Sequence, residues 1–144
     1  MVYQRWNTPA AVKRWEANED IVHNHLTFPA LSVYFVGQYL KRHYQVDSVD
    51  DWLAVARGIF HGQSLASKPM EDSASYQWLP LIHTMIYSLA EDKLAFFDLG
   101  HAREAAHSAL MALDNAGYQS AYGDYPALTS ASCLAPVLQV AGWY

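Results

Sequence analysis

Residues 24–44 read NHLTFPALSVYFVGQYLKRHY, and this stretch decides the fold. Leu26, Ala30, Leu31, Val33, Tyr34, Phe35, Val36 and Leu40 occupy nearly the whole circumference of a helix, the pattern of a helix enclosed on most sides. Pro29 stands inside it, where its ring and missing N–H are expected to bend the helix. A second stretch of this kind, EDSASYQWLPLIHTMIYSLAE, covers residues 71–91 and contains Pro80. A third runs from about Leu128 to Tyr144 and contains Pro136. The prolines are 51 and 56 residues apart.

The segments between them are apolar on one side only. Thr8-Pro9, an N-cap followed by Pro at the first helical position, opens a helix that continues to about Asp20. Ser48, with Asp51 three residues on, opens another, whose stripe of Val49, Trp52, Leu53, Ala56, Ile59 and Phe60 stops at Gly62. A third spans about Gly100 to Ala116 and is closed by Asn115-Ala116-Gly117. One-sided and all-round helices alternating at a period near fifty predict an all-α chain of stacked α/α hairpins. The hairpins are 8–44, 48–91 and 100–144, in a single domain. Helices two, four and six form one layer, and one, three and five the other.

Composition narrows the function. With 144 residues, 52% of them hydrophobic, the chain can bury a substantial core. A net charge of −5 and nine scattered Lys and Arg residues argue against a nucleic-acid partner, which needs clustered cations. Cys133 is the single cysteine and forms no internal disulfide. Every apolar run is interrupted well short of the ~20 residues of a membrane helix. The opening MVYQRWNTPA lacks the basic start and apolar stretch of a signal peptide. Aromatic residues make up 14%, and such rings serve sugar faces as readily as a core.

When the enclosed helices are aligned on their prolines, the residues one turn earlier are His25, Tyr76 and Ser132. His25 and Tyr76 then lie at matching heights on neighbouring helices, close enough to converge on one substrate atom. Asn24 precedes His25 at a helix start, where backbone N–H groups and the dipole favour an anion. His23 and His25 diverge as near neighbours on a helix, and no third ligand has metal-site spacing, so no metal is expected. His83 reads as a core histidine, and His61, His101 and His107 as surface residues. Glu71 and Asp72 suit the start of helix four.

The segments NEDIVHNHLTFPALSVYFVGQYL (18–40) and PMEDSASYQWLPLIHTMIYSLAE (69–91) resemble the helical domain of heparinase II/III-type and related alginate lyases. The resemblance implies part of an (α/α) toroid, an acidic polysaccharide as partner, no cofactor, and β-elimination at a uronic acid. It assigns the catalytic roles to Asn24 and His25, which neutralise the uronate carboxylate, and to Tyr76, which transfers a proton to the leaving oxygen. Gln77 and Trp78 beside Tyr76, with Tyr122 and Asp124 in a loop YGDYPAL (122–128) similar to a Gly-Asp loop of those enzymes, are the implied substrate-binding residues. The family's parent enzymes are periplasmic or secreted and use a further His on a later inner helix. The chain is therefore expected to be a fragment whose open stack associates with itself or with a missing toroid half. Two alternatives stay open. One is an (α/α) glycoside hydrolase using Glu71, Asp72 and Asp124, and the other a non-catalytic helical repeat that binds glycan or protein.

Overall fold

The computed structural model describes residues 8–71, 73–123, 129–130 and 134–143. They form seven helices: α1 (Pro9–Glu16), α2 (Asn24–His43), α3 (Val49–Ser64), α4 (Trp78–Glu91), α5 (Ala95–Asp98), α6 (His101–Met111) and α7 (Ala135–Ala141). A two-residue ladder between β1 (Tyr118–Gln119) and β2 (Thr129–Ser130) is the only sheet among the described residues. The all-α reading holds.

Thr8 caps α1 as its sequence implies, its Oγ1 accepting the Ala11 N–H at 3.2 Å with Pro9 just inside. The helix ends at Glu16, four residues before the expected Asp20, and lies against α3. Gly58 and Gly62, one turn apart on α3, make that approach possible. A Cβ on Gly58 would sit 1.7 Å from the Trp15 carbonyl oxygen, and one on Gly62 would sit 2.3 Å from that of Asp20. Gly62 is thus a seat for the α1–α2 connection rather than a helix stop, and α3 continues to Ser64.

Helix α2 packs most extensively on α3, and Ala30, Val33 and Tyr34 join Leu53, Ala56, Ile59 and Phe60 in one buried cluster. A second cluster gathers Trp78, Leu81 and Met85 of α4 with Phe96, Ala102, Ala105 and Val137. Helix α4 serves both, because Tyr87 on its other side belongs to the first cluster. Asn24 and Leu79 share a cleft at one end of the α2–α4 pair, and Gln38 bonds Glu91 at the other, so the two helices run parallel. Beyond α4 lies α7, and α6 packs on α7.

The prolines correct one expectation. Only Pro29 is interior to its helix. Pro80 is the third residue of α4 and Pro136 the second of α7, positions whose N–H has no intrahelical partner in any case, so neither bends its helix. Helix α4 begins at Trp78 instead of Glu71 because residues 73–77 form turns, in which the Tyr76 N–H donates to Ser73 Oγ at 3.2 Å. Helix α6 ends at Met111. Asp114 Oδ1 accepts from the Ala116 and Tyr118 N–H groups at 2.9 and 2.8 Å, turning the chain through Gly117 (φ 79°) into β1.

Candidate functional site

The start of α2 carries Asn24 and His25. Its first N–H groups need acceptors, and one comes from outside the helix: Glu71 Oε1 accepts the Asn24 N–H at 3.0 Å. Glu71 therefore serves the start of α2, since α4 begins seven residues later than Glu71. Asn24 Oδ1 is buried without a hydrogen-bond partner.

Asn24, His25, Phe28 and Pro29 of α2 and Leu79 of α4 line a cleft of about 320 Å³, at the lower end of the ~300–1,000 Å³ typical of ligand sites. His25 is exposed and Asn24 half-buried. On the other side of the helix start, His23 lines a separate cleft of about 570 Å³ with Arg14, Trp15, Leu26 and Met70. The expected divergence of His23 and His25 is corrected: His23 precedes the helix as its N-cap, and the two rings meet edge-on with centroids 5.6 Å apart, although each lines a different cleft. No group of three His, Cys, Asp or Glu side chains able to hold a metal occurs among the described residues.

Tyr76 is exposed and lies in the turn that leads into α4, three residues before Leu79. The loop carrying Tyr122 is fastened to this turn: the Ala74 N–H donates to the Tyr122 carbonyl at 2.9 Å, and Gln77 Nε2 donates to the Tyr122 hydroxyl. Gln77 and Tyr122 are brought together. Trp78 is not part of it. At 2% exposure its ring belongs to the second core cluster and its Nε1–H donates to the Ala74 carbonyl at 2.9 Å, leaving no face for a sugar. Asp124, Asp72 and Ser132 lie outside the described residues.

Beneath the cleft, His83 Nδ1 lies 3.0 Å from Thr27 Oγ1, and Thr27 Oγ1 lies 3.4 Å from the Asn24 carbonyl. An Nδ1–H tautomer satisfies both contacts, with His83 donating to Thr27 and Thr27 donating to Asn24. Phe28 covers the imidazole edge-on at 5.2 Å. Burial pushes the His83 pKa down to about 4, so the ring is neutral at pH 7. The core-histidine reading of His83 holds. Its partner Thr27, fully buried three residues after Asn24, was not singled out by the sequence pattern.

The opposite end of the parallel pair is closed by charge. Arg57 Nε donates to Glu91 Oε1 at 2.9 Å and Gln38 Nε2 to Glu91 Oε2 at 3.3 Å. Burial, followed by the Glu91 carboxylate, raises the Tyr34 hydroxyl to about 12. Burial alone would raise Glu91 too, but Tyr34 and Arg57 hold its carboxyl below the ordinary value. These groups satisfy one another and tie α2, α3 and α4 together.

No family model, curated protein or solved structure matches this chain. No helix among the described residues is long and apolar enough to cross a membrane.

Proposed function

We propose that this chain is the helical part of a polysaccharide lyase, a section of an (α/α) toroid that cleaves a uronic-acid polymer by β-elimination. The observation that carries the reading is the cleft that Asn24 and His25 share with the first turn of α4, with exposed Tyr76 three residues before the cleft residue Leu79. Tyr76 does not itself line the cleft, and the reading requires its hydroxyl to reach a substrate that extends from the cleft over the turn before α4. The C5 proton of the uronate is removed, the electron pair forms the C4–C5 double bond, and the C4–O bond breaks as Tyr76 delivers a proton to the departing oxygen. Asn24 and His25 face the substrate carboxylate, on which negative charge grows as the proton leaves. Depending on the sugar epimer, either Tyr76 or His25 takes the C5 proton.

Glu71 adds a constraint. Its carboxylate already holds the backbone N–H of Asn24, so a uronate meets the side chains of Asn24 and His25 rather than the bare helix terminus. A fixed carboxylate beside the cleft also favours a second reading, hydrolysis with Glu71 as acid or base. Incubation with alginate, heparan sulfate and related uronates separates the two. Elimination leaves an unsaturated sugar that absorbs in the ultraviolet, and hydrolysis releases reducing ends without that absorption. Reducing ends alone would overturn the lyase reading.

A further inference from the structure

Helix α2 turns a row of side chains to solvent at alternating spacings of three and four: His25, Phe28, Ser32, Phe35, Tyr39 and Arg42. This is the a/d spacing of a coiled-coil seam, and all six positions are exposed. Phe28, Phe35 and Tyr39 are 61%, 47% and 56% exposed, outside both core clusters. Neither the fold nor the proposed chemistry uses the seam beyond His25 and Phe28.

From this seam we infer that the chain pairs with a second copy of itself through an antiparallel, two-fold α2–α2 contact. Three observations select that occupant and that direction. The first is shape. With the two-fold axis passing midway between Ser32 and Phe35, Ser32 faces Phe35 of the second copy and Phe28 faces its Tyr39. Beside Ser32 lies an apolar depression of about 260 Å³, lined by Ser32, Val33, Val36 and Trp52, open to receive that phenyl ring. Symmetry makes the insertion twice. The Ser32 hydroxyl already donates to the Phe28 carbonyl at 3.2 Å, so covering it strands no donor.

The second is charge. The seam carries no acidic residue, and its one permanent charge is Arg42. Parallel pairing would oppose Arg42 to Arg42. Antiparallel pairing carries Arg42 to the start of the other α2, where Glu71 holds a carboxylate against the Asn24 N–H. Lys41, its neighbour, is already paired with Asp50 at 2.6 Å.

The third is area. The exposed parts of Phe28, Phe35, Val36 and Tyr39 amount to roughly 400 Å² of apolar surface, the size at which an uncovered patch marks an interaction site. A 20-residue helix is about 30 Å long. Ile86, also exposed, lies two turns along α4 from the cleft residue Leu79. With the exposed polar seam residues His25, Ser32 and Arg42 included, the face comes to the ~600 Å² per partner at the lower bound of stable dimers.

The pairing does not rest on the lyase reading: it sets Arg42 and Tyr39 of the second copy against His25 and Phe28 and so competes with a uronate for their cleft, and its test reads mass and cross-links rather than activity. Sedimentation equilibrium of the full chain gives a dimer that dissociates on dilution. Phe35→Asp raises the dimer dissociation constant by about 100-fold or more, while circular dichroism stays unchanged because Phe35 is half-exposed. Direction is read in a Cys133→Ser background. Mixed Ser32→Cys and Phe35→Cys chains form the 32–35 disulfide under mild oxidation, and Ser32→Cys alone does not cross-link. A monomer at all concentrations, an unaffected Phe35→Asp dimer, a larger open assembly, or dominant 32–32 cross-links would each overturn the proposal.

Discussion

Tyr87 stacks on Phe60 with ring centroids 4.5 Å apart and planes 14° from parallel, while Tyr34 meets the same tyrosine edge-on at 5.0 Å. Through this sandwich α4, whose other side lies in the second core, is attached to α2 and α3. Phe60→Ala removes a fully buried ring and should cost about 3–5 kcal/mol. Denaturant unfolding measures the loss. An effect under 1 kcal/mol would mean that the stack does not join the two cores.

Gly58→Ala places a methyl group 1.7 Å from a backbone carbonyl that no rotamer can move aside. Either α1 shifts bodily or α3 distorts, and overpacking of this kind costs about 1–3 kcal/mol or more. Hydrogen exchange should show the protection of α1 falling first. Wild-type stability in Gly58→Ala would refute the close seat of α1 on α3.

Acid should weaken the fold through His83. Its folded pKa, about 4, lies below the ordinary 6.5, so between those values the unfolded chain binds the proton and the folded one does not. The contribution is fully present above pH 6.5 and declines by up to about 1.4 kcal/mol for each pH unit below it until about pH 4. Replacing His83 by Gln, which cannot titrate, should flatten the stability curve between pH 5 and 6.5 on the order of that amount. An unchanged slope would show that His83 is accessible to protons in the folded chain.

Tyr76→Phe removes one oxygen at an exposed position, and in the active lyase it should lower turnover by about 10²–10⁴ with little change in substrate affinity. Asn24→Ala should also lower turnover, through the lost carboxylate donor. Wild-type rates in Tyr76→Phe would remove Tyr76 from the chemistry.

Glu71→Gln separates elimination from hydrolysis without a product standard. If Glu71 only holds the Asn24 N–H, the amide oxygen can still accept that bond, and loss of a negative neighbour should tighten uronate binding several-fold. If Glu71 is a hydrolytic acid or base, the same change abolishes activity. Steady-state kinetics distinguishes a lowered KM from a lost kcat.

The long helices were legible because periodicity over fourteen or more residues outweighs local accidents: α2 and α3 lie within two residues of their expected bounds. The misplaced boundaries have local causes. Ser73 and Asp114 compete for backbone N–H groups with short hydroxyl and carboxylate bonds, which apolar spacing does not register, so α4 starts late and α6 stops early. Gly62 read as a stop because a glycine needed for close approach and one needed for chain reversal look alike in a sequence. Around the candidate site, the helix start at Asn24 and the core placement of His83 were legible from position. The reach of Glu71 to α2 was not, since the two lie 47 residues apart and meet only through the packing of the helices.

The two cores draw on successive stretches of chain, with one exception. Every buried member of the first lies between Val22 and Phe60 except Tyr87. A nascent chain emerging from the ribosome as far as residue 64 therefore holds all of that core but one ring, with an empty socket between Tyr34 and Phe60. At roughly 5–20 residues per second, Tyr87 follows within a few seconds. During that interval the half-made protein exposes an aromatic slot, a natural hold for a chaperone, and synthesis of α4 closes it.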